Sequence, residues 1–466
     1  MQIHQREKCL RDSQEVISQL GFPIQSNKAK DLIRLVYEIS IRDNISAFSV
    51  IPNEIISSLS VSRKDIFKKI KNYLIQKRFP EFSKEGSLRD IYLPKIAFDP
   101  DFYVPKKEII FSPHQIFVER QVVDSSITKN IIDNFKKARV KIIDSLPHYL
   151  RSRKRFTIRD YNQRHKTIFL IKENYDFLKS CPCTKGCICC GYVILNIGFG
   201  CIYECSYCFL QGYTNAPGIV IPTNIEDFLS AAEVFIKKQN RLVRLGTGEF
   251  TDSLALDYLT GFSKILVPFF AKFNNVLFEL KTKSSNINNL LGLVHNGRTV
   301  VSWSLNPQSL IKSDELGSSD LNSRIASARR CVEDGYLVAF HFDPILYSRD
   351  WLIHYSQVID LLFSTIKQNI AWISLGTLRF PPILKPIIEQ RFPETNILNE
   401  ELIIGFDKKI RYPQKLRISI YTRMVELIRR YDKEVSLYLC MENPAVWKAV
   451  FKDEININNI FSHHLK

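Results

Sequence analysis

From Tyr192 onward, short apolar runs alternate with stretches of helical periodicity. The apolar runs are bounded by turn residues and predict buried strands at Tyr192–Ile197, Leu242–Leu245, Val276–Leu280, Val300–Leu305, Leu337–Phe342 and Ile370–Leu375. Between them, apolar residues at three- and four-residue spacing predict helices at Ile225–Lys238, Leu254–Phe273, Ile287–Val294, Asn322–Asp334 and Trp351–Ile366. Strands that alternate with helices pair in parallel through right-handed crossovers, so the expected class is α/β. Residues 1 to about 100 read instead as mainly helical, with apolar spacing over Asp31–Ile39 and Asp65–Ile75. Ser62 with Asp65 forms a capping-box pattern ahead of Ile66. Ile55–Leu74 has the outline of a helix-turn-helix, which any two short amphipathic helices share. Pro94, Pro100, Pro105 and Pro113 mark an extended linker beginning near Tyr92.

In parallel α/β sheets, ligands collect at the carboxyl ends of the strands. The motif-like residues fall there: Gly198–Cys208 after the first strand, Gly246–Glu249 after the second, Lys281–Lys283 after the third, Asn306-Pro307 after the fourth and Asp343-Pro344 after the fifth. Cys201, Cys205 and Cys208 are spaced C-x3-C-x2-C. Three thiolates bind three corners of a [4Fe–4S] cluster and leave one iron open to a ligand. A structural zinc site, with a fourth ligand from nearby cysteines, is the competing reading. The spacing, with Tyr207 just before the third cysteine, resembles the signature of the radical S-adenosylmethionine enzymes. That resemblance implies a partial (βα)6 barrel. It also implies that the open iron chelates S-adenosylmethionine and that reductive cleavage yields a 5′-deoxyadenosyl radical. Gly246-Thr247-Gly248-Glu249 is similar to the glycine-rich stretch of that family, where glycines admit a ligand close to the backbone and Glu249 accepts from the methionyl ammonium.

The resemblance narrows along Ile109–Glu442. It is carried by Gly200-Cys201 and Cys205-Ser206-Tyr207-Cys208-Phe209-Leu210-Gln211, by Thr251-Asp252-Ser253 and Thr282-Lys283, and by Ser302–Asn306. It continues through Ala328–Gly335, His341–Ile345 and Leu375–Phe380. These stretches resemble the spore photoproduct lyase family, the radical-type DNA repair photolyases. The resemblance implies reversal of a thymine dimer lesion in spore DNA, with a protein cysteine returning a hydrogen atom. The damaged bases must leave the stack to react. By position, Cys201, Cys205 and Cys208 hold the cluster, Tyr207 lies beside the cofactor, and Lys283 and Asn306 contact it. Two positions depart from the family: Glu249 stands where its hydrogen-donor cysteine falls, and Phe209 where a tyrosine follows the third cluster cysteine. Cys440, in a predicted strand, and Cys331, in a predicted helix, are the alternative donors, although buried thiols in such elements are commonly inert. The chain thus divides into a helical N-terminal extension (1–105), a cysteine-bearing stretch (106–190), the partial barrel (191–380) and a mixed α/β C-terminal extension (381–466).

Composition adds partners and place. The formal charge of +17 calls for an anionic partner, nucleic acid being the commonest. The same richness in Lys, Ile, Asn and Phe, with only 17 Gly, is what AT-rich coding produces. Arg151-Ser152-Arg153-Lys154-Arg155-Phe156, followed by Arg159, Tyr161, Arg164, His165 and Lys166, mixes bases with aromatics, as phosphate contacts and base stacking require; a solvated basic face is the alternative. His341 and His295 read as structural histidines ahead of acid–base groups. Eight of the eleven cysteines lie between Cys181 and Cys208, which argues for metal in a reducing compartment. Cys181–Cys190 suits a second iron–sulfur cluster, a zinc site or a redox pair, though adjacent Cys189 and Cys190 cannot easily share one metal. No apolar run has transmembrane length and the N-terminus has no signal-peptide core, so the expectation is cytoplasmic. The expected partners are DNA with damaged pyrimidines and a reductant protein such as flavodoxin or ferredoxin. The alternatives are a radical enzyme acting on RNA or a small molecule, and a non-catalytic metal-dependent nucleic-acid-binding protein.

Overall fold

The structure is a computed structural model that describes residues 3–20, 26–57, 63–84, 86, 88–99, 102–104, 109–151, 156–213 and 216–452. The chain forms two compact units. The first takes Met1–Pro105, Leu346–Ser348 and Leu378–Leu416; the second takes Lys106–Ile345, Arg349–Thr377 and Arg417–Lys466.

The first unit is built on helices Ile3–Ser18, Ser26–Asp43 and Arg63–Arg78, as the helical periodicity requires. Their apolar stripes meet in a core that includes Leu32, Leu35, Ile39, Ile70, Leu74 and Phe79. The capping pair expected of Ser62 and Asp65 lies outside the described residues. A charge network crosses this unit. Glu38 accepts from Arg34 at 2.6 Å, Arg78 at 2.8 Å and Lys385 at 2.7 Å. Arg34 turns its other two nitrogens to Glu389, on helix Leu384–Arg391. All five side chains are buried, and burial outweighs Glu38 to pull the Lys385 ammonium down to about 8.

Among its described residues the second unit holds two larger sheets and one two-stranded antiparallel pair. A four-stranded parallel sheet runs Arg139–Ile143, Gln115–Glu119, Thr167–Ile171, Ile219–Pro222 in spatial order. The larger sheet has eight strands in the order Leu437–Leu439, Ile370–Thr377, Leu337–Ile345, Thr299–Ser304, Val276–Thr282, Val243–Gly246, Val193–Leu195, Leu178–Ser180. Every adjacent pair is parallel except the last, so this is the open α/β sheet of a partial (βα) barrel. All six expected strands are present, and two flanking strands extend the sheet at its edges. The strands read as mostly apolar runs because both faces are covered, interrupted by polar residues such as Arg244, Glu279, Ser302, His341 and Ser374. Helices Ile225–Lys237, Leu321–Glu333 and Trp351–Thr365 occupy their expected places.

Two expected helices differ. Leu254–Phe273 is broken into Asp257–Thr260 and Phe262–Phe270 at Gly261, whose φ is +61°. The Asp257 carboxylate accepts from Ser263 N and Oγ at 2.9 and 2.6 Å and so starts the second helix afresh. Ile287–Val294 is not a helix. Its Ile287 and Leu290 are buried, but Asn289 donates to the Asp257 backbone and Gly292 sits at φ +77°.

The charge network of the first unit yields a prediction. Glu38→Gln removes the carboxylate charge shared by three buried cations and should cost about 3–5 kcal/mol. The loss should appear in urea unfolding and as faster hydrogen exchange in helix Ser26–Asp43. Unchanged exchange there would contradict the network's part in holding the unit.

Candidate active site

The cysteine loop leaves the Val193–Leu195 strand and is fastened backbone atom by backbone atom. Gly200 lies at φ +95°, and a Cβ there would come within 3.1 Å of Ile219, so glycine is required. The Arg164 guanidinium, 1% exposed, donates to Cys201 O at 2.7 Å, Tyr203 O at 2.7 Å and the Glu204 carboxylate at 2.5 Å. Gln211 Nε2 donates to the carbonyls of Cys205, Ser206 and Cys208 at 3.2, 2.8 and 3.0 Å. Glu204–Cys205 pairs antiparallel with Glu315–Leu316, and Ser206 Oγ donates to Asp314 at 2.6 Å. Cys201, Cys205 and Cys208 thereby share one apolar cluster with Tyr203, Tyr207 and Ala255. Burial pushes all three thiols up, Cys201 to about 12. Among the described residues, no three His, Cys, Asp or Glu side chains are grouped so as to hold a single metal ion.

Three other expected residues lie around one carboxylate. Glu315 accepts from the Tyr207 hydroxyl, from Asn306 Nδ2 at 2.9 Å and from Arg324 at 2.6 Å. Asn306 Oδ1 in turn accepts from Tyr355 at 2.6 Å. Lys283 Nζ stands 5.9 Å from the Tyr207 ring centroid, and the charges of Glu315 and Cys205 raise it against its burial. Arg324 and Lys283 keep Glu315 ionised, with its carboxyl held down to about 2. Asp252 closes the neighbouring turn: it accepts from Leu254 N, Ala255 N and Thr282 Oγ1 with one oxygen, and from Lys283 N at 2.7 Å with the other. Glu315, Arg324 and Asp252 escaped the sequence reading. Only Asp252 left a signal there, as the middle of Thr251-Asp252-Ser253.

Gly246 and Gly248 sit against the next strand. A Cβ on Gly246 would meet Glu279 O and the Tyr192 hydroxyl at 2.5 Å. Tyr192 accepts from Gly248 N at 3.2 Å. Glu249 is apart from Glu315: its Oε2 faces Lys179 Nζ at 3.6 Å, longer than a hydrogen bond, and burial raises its carboxyl. That oxygen is buried without a hydrogen bond.

A polar layer fills the sheet's inner face, one residue per strand. Glu279 accepts from Arg244 Nε at 2.8 Å, His341 Nε2 at 2.8 Å and Ser302 Oγ at 2.7 Å. Ser374 Oγ lies 3.1 Å from His341 Nδ1, and Arg244 Nη1 donates to Tyr438 at 2.9 Å. Burial and the nearby Lys281 charge lower His341 to about 4 despite the Glu279 hydrogen bond.

Two further thiols stand apart from the cysteine-rich segments. Cys331 is fully buried in helix Leu321–Glu333 and raised to about 12. Cys440 was expected within a strand, but the Leu437–Leu439 strand ends one residue before it. The basic run is corrected in part. Tyr161 and Arg164 are buried, with the guanidinium 4.0 Å from the ring, so they support the cysteine loop and present nothing to a nucleic acid. Arg151, Arg159 and Lys166 are exposed; Arg153, Lys154 and Arg155 lie outside the described residues.

The family model "Spore photoproduct lyase" matches residues 111–420. The spore photoproduct lyase of Bacillus subtilis (strain 168) is 25% identical over 300 residues, which cover 62% of this chain and 86% of that protein. That of Clostridium acetobutylicum is 27% identical over 205 residues, covering 44% and 61%. The solved structure of a spore photoproduct lyase complexed with dinucleoside spore photoproduct superposes with a TM-score of 0.62 at 21% identity, over 72% of this chain and 100% of that one. At that identity the likeness speaks for the fold.

The buried histidine gives a pH prediction. Its folded pKa of about 4 lies below the ordinary 6.5, so the unfolded chain binds the extra proton first. The stability from a neutral His341 is present above pH 6.5 and is lost as the pH falls towards 4. Between pH 7 and pH 5 the loss should be about 2 kcal/mol in urea unfolding, and His341→Asn should flatten that slope. An equal slope in the variant would contradict the buried neutral imidazole.

Proposed function

The chain belongs to the spore photoproduct lyase family of radical S-adenosylmethionine proteins, and from that membership we propose that it acts on damaged pyrimidines in DNA. One observation carries the reading. Tyr207, Lys283 and Asn306, far apart in sequence, come together around Glu315, which pairs with the cysteine loop at the carboxyl ends of the strands.

The donor set fits an iron–sulfur cluster and S-adenosylmethionine. Three soft sulfur ligands share an apolar pocket on a loop whose carbonyls are already satisfied, so that no backbone group competes for metal. In this reading Cys201, Cys205 and Cys208 hold three corners of a [4Fe–4S] cluster, and binding releases their protons. Glu249, with an unsatisfied buried oxygen, suits an ammonium. Lys283, whose Nζ is drawn by the Glu315 charge and makes no salt bridge among the described residues, suits a carboxylate. Gly246 and Gly248 let this strand end pack against Glu279, Lys281 and Tyr192, where a Cβ would collide. Tyr207 and Asn306 are positioning residues, fixed by Glu315 and Tyr355. When bound, cluster and cofactor supply a carbon-centred radical that abstracts hydrogen from the substrate. The protein's part is to orient the reactants and exclude water.

The test is an anaerobic assay with S-adenosylmethionine, reductant and irradiated DNA, read by mass spectrometry of the bases. The unmodified protein should release 5′-deoxyadenosine and consume a pyrimidine lesion. Replacing Cys201, Cys205 and Cys208 together with Ala should abolish both; release of 5′-deoxyadenosine by the triple variant would refute the cluster assignment. The net charge of +17 supports DNA as partner, and its binding should weaken with salt at a log–log slope of about −0.9 per phosphate contact. Changing Arg151, Arg153, Lys154 and Arg155 to Ala should flatten that slope; an unchanged slope returns the run to a solvated face.

A further inference from the structure

Five thiols along Cys181–Cys190 have no part in the site as described. No cysteine in the chain is in a disulfide. The segment reaches both edges of the eight-stranded sheet. At one edge Cys181 N donates to Tyr192 O at 3.0 Å; beyond the other, Ile188 N donates to Glu442 O at 2.9 Å. Cys181 is thereby tied to the cofactor side of the sheet, because the same Tyr192 accepts from Gly248 N. Lys179, two residues before it, faces Glu249. Cys183 Sγ donates to Cys181 Sγ at 3.7 Å, and both side chains are half-buried. The charges of Glu249, Lys281 and Arg244 all reach Cys181.

The argument from here rests on the proposed lesion chemistry. Breaking the carbon–carbon bond between two thymines leaves one as a carbon radical that needs a hydrogen atom. Among side-chain donors the thiol S–H bond is weak enough to give one. The cluster thiols are committed through sulfur and Cys331 is sealed in a helix; Cys440 is half-buried beyond the Leu437–Leu439 strand, whereas Cys181 and Cys183 stand beside the Tyr192–Gly248 and Lys179–Glu249 contacts. Glu249, at the end of the second strand, has no such hydrogen to give.

We propose that the Cys181–Cys183 pair is the hydrogen-atom donor of this chain. The substrate radical takes the hydrogen of one S–H: a C–H bond forms, the S–H bond breaks and the unpaired electron stays on sulfur. The second sulfur, 3.7 Å away, shares that electron when it is a thiolate, so that thiol, thiolate and carbon radical give a closed-shell thymine and a sulfur-pair radical anion. No electron enters or leaves in the step. The hydrogen bond between the pair favours this arrangement, since it lowers Cys181 and raises Cys183.

Two measurements test the pair with dinucleoside spore photoproduct as probe. In deuterium oxide, thiol hydrogens exchange with solvent, so the repaired thymine should carry deuterium. In the Cys181→Ser/Cys183→Ser variant, the ratio of repaired thymine to thymine radical captured by the reductant in the assay should fall at least about tenfold, with iron content, circular dichroism and cofactor cleavage retained. Cys9→Ala should behave as the unmodified protein. The second readout needs no turnover: the dinucleoside should slow iodoacetamide alkylation of Cys181 and Cys183, mapped by mass spectrometry. Undiminished repair by the double variant, or alkylation indifferent to the dinucleoside, overturns the pair while leaving the lyase reading intact. No conversion by the unmodified protein overturns both.

Discussion

The Arg164 guanidinium is the clamp on which the site depends. A loop that turns three thiols into an apolar pocket also carries its carbonyls inward, and buried carbonyls need donors. Arg164 supplies them to Cys201 and Tyr203, and Gln211 to Cys205, Ser206 and Cys208. The Glu204 carboxylate compensates the buried cation. With the loop fixed, Glu204–Cys205 can pair with Glu315–Leu316, and that pairing brings Glu315 to Tyr207 and Asn306. The Arg164–Glu204 ion pair thus supports the pairing that brings Glu315 to the cysteine loop.

Two polar clusters then share the barrel. The one around Glu315 lies at the strand ends, and its groups are those proposed to meet the cofactor. The one around Glu279 runs across six strands, from Arg244 to Tyr438, and is closed on itself: each charge has its counter-charge and each histidine nitrogen a partner. A closed layer rigidifies the sheet and leaves reactivity to the groups above it. Among the groups at the strand ends, Lys283 and Glu249 keep capacity unspent, a half-buried ammonium and a buried carboxylate oxygen without a hydrogen bond.

The barrel strands were legible because burial on both faces leaves short runs that are apolar but for single buried polar residues, and length distinguishes such runs from a helix. The helix over Leu254–Phe273 misled because its apolar spacing continues through Gly261, and spacing does not register a left-handed residue with a fresh cap at Asp257. The four-stranded sheet over 115–222 left little pattern: its edge strand Arg139–Ile143 is largely exposed and alternates bases with apolar residues. The cysteine loop announced itself by spacing. Its supports did not. Arg164 lies among Arg159, His165 and Lys166, and sequence does not reveal which cation is buried. Glu315 and Glu279 are single carboxylates without a motif; only the fold gives them partners.

The central claim is that three cysteines on this clamped loop hold a cluster with one iron left open for S-adenosylmethionine. Mössbauer spectroscopy of the anaerobically reconstituted protein, with and without S-adenosylmethionine, tests it directly. A cluster with one open corner should respond at a single iron site, the other three keeping their parameters when the cofactor is added. Iron that ignores the cofactor, or a protein that takes up no cluster iron at all, would contradict the account.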